Sequence, residues 1–285
     1  MMGKEGIKMK VIDFHTHVYP DKIASRTIAA LSSAADVTAH TDGTLSGLLQ
    51  SMKESGVSKS VILPVATRKG QFDTINRVAK SINDQYDEVI SFGGIHPDDE
   101  DIAEKLRFLK DNGFRGIKLH PDYQETMIND KRYLDIICEC HHLGLIVITH
   151  AGKDPAYEKV HCPPKEGREL LEKVYSITRF TEPFIVFAHL GGNRLLFDVE
   201  KYLVGQNCYI DISCSFSCFG HFCDNSDEDV VRVIRNHGAD KILFATDSPW
   251  NGQEEYIRHF QSLDGLSDKE KEMIFYQNAE RLLYS

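Results

Sequence analysis

The chain has 285 residues, of which 41% are hydrophobic and 27% charged, and its 33 basic against 43 acidic residues give a net charge of -10. This length suits one α/β barrel, and the composition is that of a globular protein. No apolar run approaches the ~20 residues of a membrane span and no signal-peptide core is present, so we expect a cytoplasmic protein without a membrane partner. The acidic balance disfavours nucleic acid as a partner, because phosphate contacts need a positive surface.

The seven cysteines are an odd number and show no small secreted framework, which predicts reduced thiols. Cys214, Cys218, His221 and Cys223 lie close together in sequence, but their spacing matches no zinc-finger pattern. We therefore assign no structural metal to them.

Strand and helix patterns alternate along the chain. The first strand covers residues 11–17, and the polar segment 20–43 follows as a candidate lid with a short helical stretch at 23–31. A helix begins at Thr44 and ends before Gly56. Further strands are predicted at 59–65, 89–96, 114–120, 145–150, 184–189, 208–213 and 242–247, and further helices at 73–86, 99–112, 130–142, 165–179, 194–203, 227–237 and 267–283.

Eight strands separated by helices indicate the fold class. Continuous apolar strands such as residues 145–148 are typical of a parallel sheet covered on both faces. We predict an α/β protein with one closed (β/α)8 TIM barrel, occupying residues 1–285 as a single domain. A doubly wound open sheet is the alternative, but no glycine-rich phosphate turn follows the first strand.

The first strand ends in two histidines, His15 and His17, separated by one residue. Because side chains alternate along a strand, we expect both imidazoles, together with Asp13, on one face. Neutral imidazole is a common metal ligand, so the pair is a candidate metal site.

Polar residues recur at the other strand ends, which gather at one mouth of a barrel. Buried polar groups collected in one place need a partner, and a metal ion is the simplest one. The residues concerned are Arg68, His96, Lys118, His120, His150, His189, Asp211, Ser213 and Asp247.

Four motifs resemble the amidohydrolase superfamily, and its amidohydrolase-2 branch of hydrolases and decarboxylases most closely. They are Asp13-x-His15-x-His17, the segments 148–152 (Ile-Thr-His-Ala-Gly) and 187–192 (Phe-Ala-His-Leu-Gly-Gly), and the segment 245–250 (Ala-Thr-Asp-Ser-Pro-Trp). The resemblance implies that His15, His17, His150 and Asp247 bind one divalent metal, Zn²⁺ in the first place and Mn²⁺ as the alternative, and that His189 lies beside the metal-bound water. Such an ion lowers the pKa of bound water towards ~7, and Asp247 and His189 are then the candidate proton-transfer groups.

Lys118 and His120 have the same parity on one strand, so both are expected to face the barrel interior. In other branches of the superfamily a lysine on this strand is carboxylated and bridges two metals. The resemblance favours one metal here, which leaves Lys118 to bind a substrate carboxylate. Arg68, His120 and Trp250 are the other candidate substrate-binding residues.

The predicted function is a metal-dependent hydrolase that uses activated water on a C–N or C–O bond of a small carboxylate-bearing or cyclic substrate. A non-oxidative decarboxylase with the same site is the alternative. A TatD-like phosphodiesterase, suggested by His96 in a Gly-Ile-His-Pro motif, is a second alternative, although the metal-bridging glutamate of that group is missing. A catalytically idle metal-binding protein is the non-enzymatic alternative. Similar proteins suggest a homodimer.

Overall fold

The computed structural model describes residues 10–220 and 223–285. Within them all paired strands are parallel, as the continuous apolar runs predict. The strands are β1 Ile12–Thr16, β2 Lys59–Ile62, β3 Val89–Ser91, β4 Gly93–Gly94, β5 Gly116–Leu119, β6 Ile146–Thr149, β7 Ile185–Phe187, β8 Tyr209–Asp211 and β9 Ile242–Leu243.

These nine segments form the eight strands of a TIM barrel. We call each barrel strand a stave, to distinguish it from the segments β1 to β9. The order is β1-β2-β3 in one sheet and β4 to β9 in sequence in the other. Only Phe92 separates β3 from β4, so the two segments are halves of the third stave. Backbone N–H groups close the ring between the last stave and β1: Phe14 donates to Phe244, Asp247 to His15, and His17 to Ser248, at 2.9, 2.8 and 2.7 Å.

Helices connect the staves, as the alternating pattern predicts. In the described residues no helix is both long and apolar enough to cross a membrane. The helices are α1 Asp21–Ala35, α2 Leu45–Ser55, α3 Phe72–Gln85, α4 Ile102–Asp111, α5 Lys131–Leu143, α6 Pro164–Thr178, α7 Leu196–Tyr202, α8 Asp227–His237, α9 Gln253–Ser262, α10 Asp268–Glu272 and α11 Asn278–Tyr284.

The core consists of two clusters between the strands and the helices and one cluster inside the strands. The inner cluster contains Ile12 and Phe14 of β1, aliphatic and aromatic residues of the other staves, and Ala279 of α11. The two outer clusters join the strands to the surrounding helices. A filled interior of this kind makes the barrel a rigid frame for the side chains at its mouth.

A β-bulge changes which side chains of β1 lie on the same face of the strand. Its pairing with β2 shifts register between Asp13 and Thr16. Strict alternation predicts Asp13 on the same face as His15, and this expectation is wrong because a bulge breaks the two-residue period. Asp13 instead accepts hydrogen bonds from Thr246 Oγ1 at 2.6 Å and Gln253 Nε2 at 2.8 Å. Burial raises its pKa to about 6, and its contacts join β1 to the last stave and α9.

Two helical features depart from the predicted pattern. Helix α9 is not among the predicted helices, although Tyr256, Ile257 and Phe260 have helical spacing and are buried. The helix predicted at 267–283 contains a π-helical turn, Met273–Gln277. That turn frees a carbonyl of the i to i−4 ladder: the Phe244 N–H of the last stave donates to Ile274 O at 3.0 Å.

Candidate metal centre

Three of the four predicted ligands converge at the mouth of the barrel. His15 Nε2 lies 3.2 Å from His17 Nε2. Asp247 Oδ1 lies 3.4 Å from His15 Nε2 and 3.1 Å from His17 Nε2. The bulge in β1 and the left-handed backbone of Asp247, with φ 65°, direct these atoms towards one point.

Hydrogen bonds of the two Nδ1 atoms fix the tautomers of His15 and His17. His17 Nδ1 donates to the carbonyl of Leu63, and His15 Nδ1 donates to Asp211 Oδ2, both at 2.9 Å. An acceptor on Nδ1 places the proton there and leaves a lone pair on Nε2. Burial lowers the pKa of His15 to about 3, so its ring is neutral near pH 7.

These donors fit a divalent cation. Two imidazole lone pairs and a carboxylate oxygen repel each other at 3.1 to 3.4 Å unless a cation lies between them. Asp247 Oδ1 is buried without a hydrogen-bond partner, which is costly for a carboxylate. Imidazole and carboxylate ligands suit Zn²⁺ or Mn²⁺ better than Ca²⁺.

Asp211 organises the side of the centre behind His15. Besides His15, it accepts from Ser213 Oγ at 2.5 Å and from the backbone N–H groups of Ser213 and His189, each at 3.0 Å. Burial opposes its ionisation, but His15 and these donors lower its pKa to about 2. Asp211 is therefore an anion that orients the predicted ligand His15 and positions the backbone of His189.

His189 also has a defined tautomer. Ser213 Oγ lies 2.9 Å from His189 Nδ1 and gives its own proton to Asp211, so it accepts from Nδ1. His189 Nε2 therefore carries a lone pair, and burial lowers the pKa of the ring. Its ring centroid lies 5.1 Å from that of His15. The lone pair on Nε2 allows His189 to accept a proton, as a proton-transfer group must.

Lys118 lies on the inner face of β5, fully buried, with Nζ 3.2 Å from His15 Nε2. Burial lowers its pKa to about 8, against the opposing fields of Asp211 and Asp247. The His15 lone pair cannot accept from Lys118 and bind a metal at once. With an ion in place, the lysine has to find another partner.

The fourth predicted ligand, His150, belongs to a neighbouring group. Its Nε2 lies 3.5 Å from Asp122 Oδ2, and its ring stacks on that of His120 with centroids 4.2 Å apart. Among the described residues, His120, His150 and Asp154 have donor atoms within 4.8 Å of one another. The ring of His150 lies 4.7 Å from that of His189, which places it next to the His15 cluster.

Several residues of the site were missed by the sequence prediction. Asp122 accepts from His161 Nδ1 at 2.9 Å and adjoins His150, while Asp154 lies 3.6 Å from His120 Nε2. Both follow strands that carry predicted site residues, in segments 118–122 and 150–154, and that position is the signal that could have identified them.

A cavity of about 660 Å³ opens from the cluster. Lys118, His120 and Trp250, three of the four predicted substrate-binding residues, line it. Its described lining does not include the fourth, Arg68, which is exposed. His96 is also absent from that lining, and its Nδ1 accepts from the Asp98 N–H.

The cysteine cluster of the sequence is divided in the structure. Cys214 lies beside the candidate metal centre, where its thiol donates to Asp247 Oδ2 at 3.2 Å. Cys218 is exposed beside His259. His221 lies outside the described residues.

Gly152 holds two site segments together. It forms a parallel β-bridge with Asn193 and has φ +84°. A Cβ atom there would lie 2.1 Å from Asn193 N. Only glycine therefore allows the chain after His150 to approach the chain after His189 this closely.

A TIM barrel with a histidine and aspartate cluster at the carboxyl ends of its strands is the architecture of a metal-dependent enzyme. The family model described as amidohydrolase matches residues 12–284, and the chain belongs to this family of metal-dependent enzymes. A search of curated proteins found no match.

Solved structures share the fold at low identity. A dihydroxybenzoic acid decarboxylase from Polaromonas sp. JS666, with bound manganese and the inhibitor 2-nitroresorcinol, is 15% identical over 96% of both chains with a TM-score of 0.67. The 5-carboxyvanillate decarboxylase LigW from Sphingomonas paucimobilis is 12% identical over 96% of this chain and 99% of its own, with a TM-score of 0.65. A Pseudomonas putida protein provisionally named 2-pyrone-4,6-dicarboxylic acid hydrolase is 18% identical over 96% and 97%, with a TM-score of 0.63.

Proposed function

We propose that the chain is a divalent metal-dependent decarboxylase, which removes CO2 without oxidation from a small-molecule acid that carries a second oxygen donor beside its carboxylate. His15, His17 and Asp247 would hold one ion, Zn²⁺ or Mn²⁺, with His150 completing the set by a change of ring position. Decarboxylases among the solved structures of the same fold support this choice over the hydrolysis favoured by the sequence.

The distribution of polar groups in the cavity is the observation that carries the proposal. Apart from Asp21, the ionisable side chains of the lining belong to the metal end, whereas aliphatic residues such as Val65, Ile75 and Val78 line much of the remainder. An apolar cavity with one polar end suits a substrate whose reacting carboxylate is its main charged group. It also provides a weakly polar surrounding in which a carboxylate is readily lost as neutral CO2.

Decarboxylation replaces a C–CO2⁻ bond by a C–H bond, so one proton has to reach the carbon that the carboxylate leaves. His189 Nε2 is the candidate carrier: its lone pair would take a proton from solvent and pass it to the carbon, while Ser213 Oγ, held by Asp211, accepts from Nδ1 and orients the ring. Asp247 Oδ2, next to the Cys214 thiol, is the second candidate. An ion bound at this centre would polarise the substrate oxygens and stabilise the charge that CO2 leaves behind.

Lys118 provides the positive charge at the metal end. Its ammonium group is buried beside His15 and needs a new acceptor once the lone pair of His15 is engaged. A substrate carboxylate or hydroxyl group meets that need. Carboxylation of the lysine, with a second ion, is the competing assignment. Metal analysis of the protein as purified decides between them: we expect one ion per chain, and two ions that fall to one in Lys118→Gln would favour carboxylation.

Isotope incorporation separates decarboxylation from hydrolysis. The metal-loaded protein is incubated with a panel of hydroxylated aromatic acids and of lactones and amides, in D2O and separately in H2¹⁸O. Decarboxylation adds one deuterium to the carbon that loses CO2, whereas hydrolysis adds ¹⁸O to the product. Deuterated product with released CO2, absent in Asp247→Asn, is the expected result. Incorporation of ¹⁸O without CO2 would reject the proposal.

A further inference from the structure

The cavity extends beyond the metal end into an apolar groove between helices α1 and α3. Residues of α1 at intervals of three or four positions line one side, and residues of α3 with similar spacing line the other. Such spacing gives each helix one continuous face towards the cavity. The apolar groove is defined by Ile23, Thr27, Leu31 and Ala34 of α1 and by Ile75, Val78, Ala79 and Ile82 of α3.

Large aliphatic side chains remain open to solvent in this groove. Ile23 is 38% exposed and Val78 is 39% exposed. In α1 only Ala24 is buried, so this helix covers the groove without filling it. Aliphatic residues exposed together within a concave surface mark a binding site more often than residues scattered singly.

The groove and the metal centre are parts of one cavity. His15, His17 and Asp247 line the same space as Ile75 and Val78. Its volume of about 660 Å³ lies in the middle of the ~300–1,000 Å³ range that holds drug-sized ligands. A molecule anchored at the metal end therefore has room for a substantial apolar body.

We propose that the substrate carries an apolar extension, an alkyl chain or a second ring, that lies in the apolar groove while its carboxylate end lies at the metal centre. This inference rests on the proposed function for the position of the carboxylate. Asp21, at the start of α1, is the charged residue of α1 and α3 in the cavity lining, so that part of the cavity offers no cation for a second anionic group.

A homologous series of ligands tests the groove without requiring turnover. Binding of 4-methyl-, 4-butyl- and 4-octylbenzoate to the metal-loaded protein is measured by titration calorimetry. Each added methylene that enters the groove should tighten binding about fourfold. Affinity that does not change with chain length would overturn the proposal.

Variants on the helix surfaces locate the effect. Val78→Asp should weaken binding of the octyl compound at least about tenfold and leave the methyl compound unaffected. The octyl chain would have to displace water from the new carboxylate, whereas the methyl group does not reach it. Ile177→Asp is the matched control, since Ile177 is 55% exposed near the end of α6 and is not part of the cavity lining. Equal losses in both variants, or a loss for the methyl compound in Val78→Asp, would contradict the assignment.

The outcomes distinguish this inference from the proposed function. Chain-length-dependent binding without CO2 release would support the groove and reject decarboxylation. CO2 release from single-ring acids, with no effect of chain length on binding, would support decarboxylation and reject the assignment of the groove. A concentration-dependent dimer that Val78→Asp disrupts in analytical ultracentrifugation would assign the groove to a second copy of the chain and overturn the inference.

Discussion

Asp211 Oδ2 lies 2.9 Å from His15 Nδ1, on the side of the ring opposite the candidate metal-binding atoms. This contact fixes the His15 tautomer and makes Nε2 a better donor to a cation. Asp211→Asn should therefore weaken metal affinity by about 10- to 100-fold, although no predicted ligand has changed. Competition with a chromogenic chelator measures the affinity. Ser215→Ala alters a buried hydroxyl that donates to the Ser213 carbonyl and is the control; unchanged affinity in Asp211→Asn would contradict this role.

The roles of His15 and His189 predict different responses to mutation. His15→Ala removes a proposed ligand and should lower the metal content of the purified protein. His189→Asn keeps a donor for Ser213 Oγ but removes the Nε2 lone pair. It should retain the metal and lose turnover by about 10²- to 10⁴-fold. Metal analysis and kinetics on the same samples test both statements. A fully active His189→Asn enzyme would exclude His189 as the proton carrier, and loss of metal in that variant would make it a ligand.

Much of the fold is predictable because the alternation of apolar strands with amphipathic helices is a local pattern. All eight staves lie within the predicted segments, and helix 227–237 has the predicted bounds. Helix α9 shows the limit of that approach. Its buried residues Tyr256 and Phe260 form a short apolar pattern in an otherwise polar sequence, which is too short for the local period to predict a helix.

The site is less predictable than the fold because it depends on contacts across the barrel. Strict alternation cannot reveal the bulge that turns Asp13 away from His15, since a bulge depends on the pairing of two strands. Strand-end position alone also selected Arg68, whose side chain lies outside the cavity lining. Closeness in sequence groups Cys214 with nearby cysteines, whereas the acceptor of its thiol, Asp247, is 33 residues away in sequence.

Gly152 and Gly113 form a matched pair for testing the close approach of the two site segments. Their φ angles are +84° and +81°, but a Cβ at Gly113 has no heavy atom within 4 Å. Gly113→Ala should cost about 1–2 kcal/mol of unfolding free energy from backbone strain alone. Gly152→Ala adds a clash with Asn193 N, so it should cost more and reduce turnover by displacing His150 and His189. Urea denaturation and kinetics measure the two effects. Equal stability losses with full activity would show that the contact is dispensable.

His237 predicts part of the pH dependence of stability. It is buried in α8, where Nε2 donates to Cys208 O at 2.9 Å and Nδ1 accepts from Gly205 N–H at 3.2 Å, and burial lowers its pKa from 6.5 to about 4. Between pH 6.5 and 4, His237 is protonated in the unfolded chain but neutral in the folded chain. The free energy of unfolding therefore falls as the pH drops from 6.5 towards 4.

The loss assigned to His237 amounts to about 3 kcal/mol over that interval. Neighbouring Lys241 and Asp240 also act on this ring, and other buried histidines titrate, so the measurement is a difference. His237→Gln keeps a donor towards Cys208 O and cannot become charged. Urea denaturation of the metal-loaded proteins at pH 7, 6 and 5 should show a steeper decline for the natural chain than for His237→Gln. Parallel curves would mean that His237 accepts a proton in the folded state as readily as in the unfolded chain.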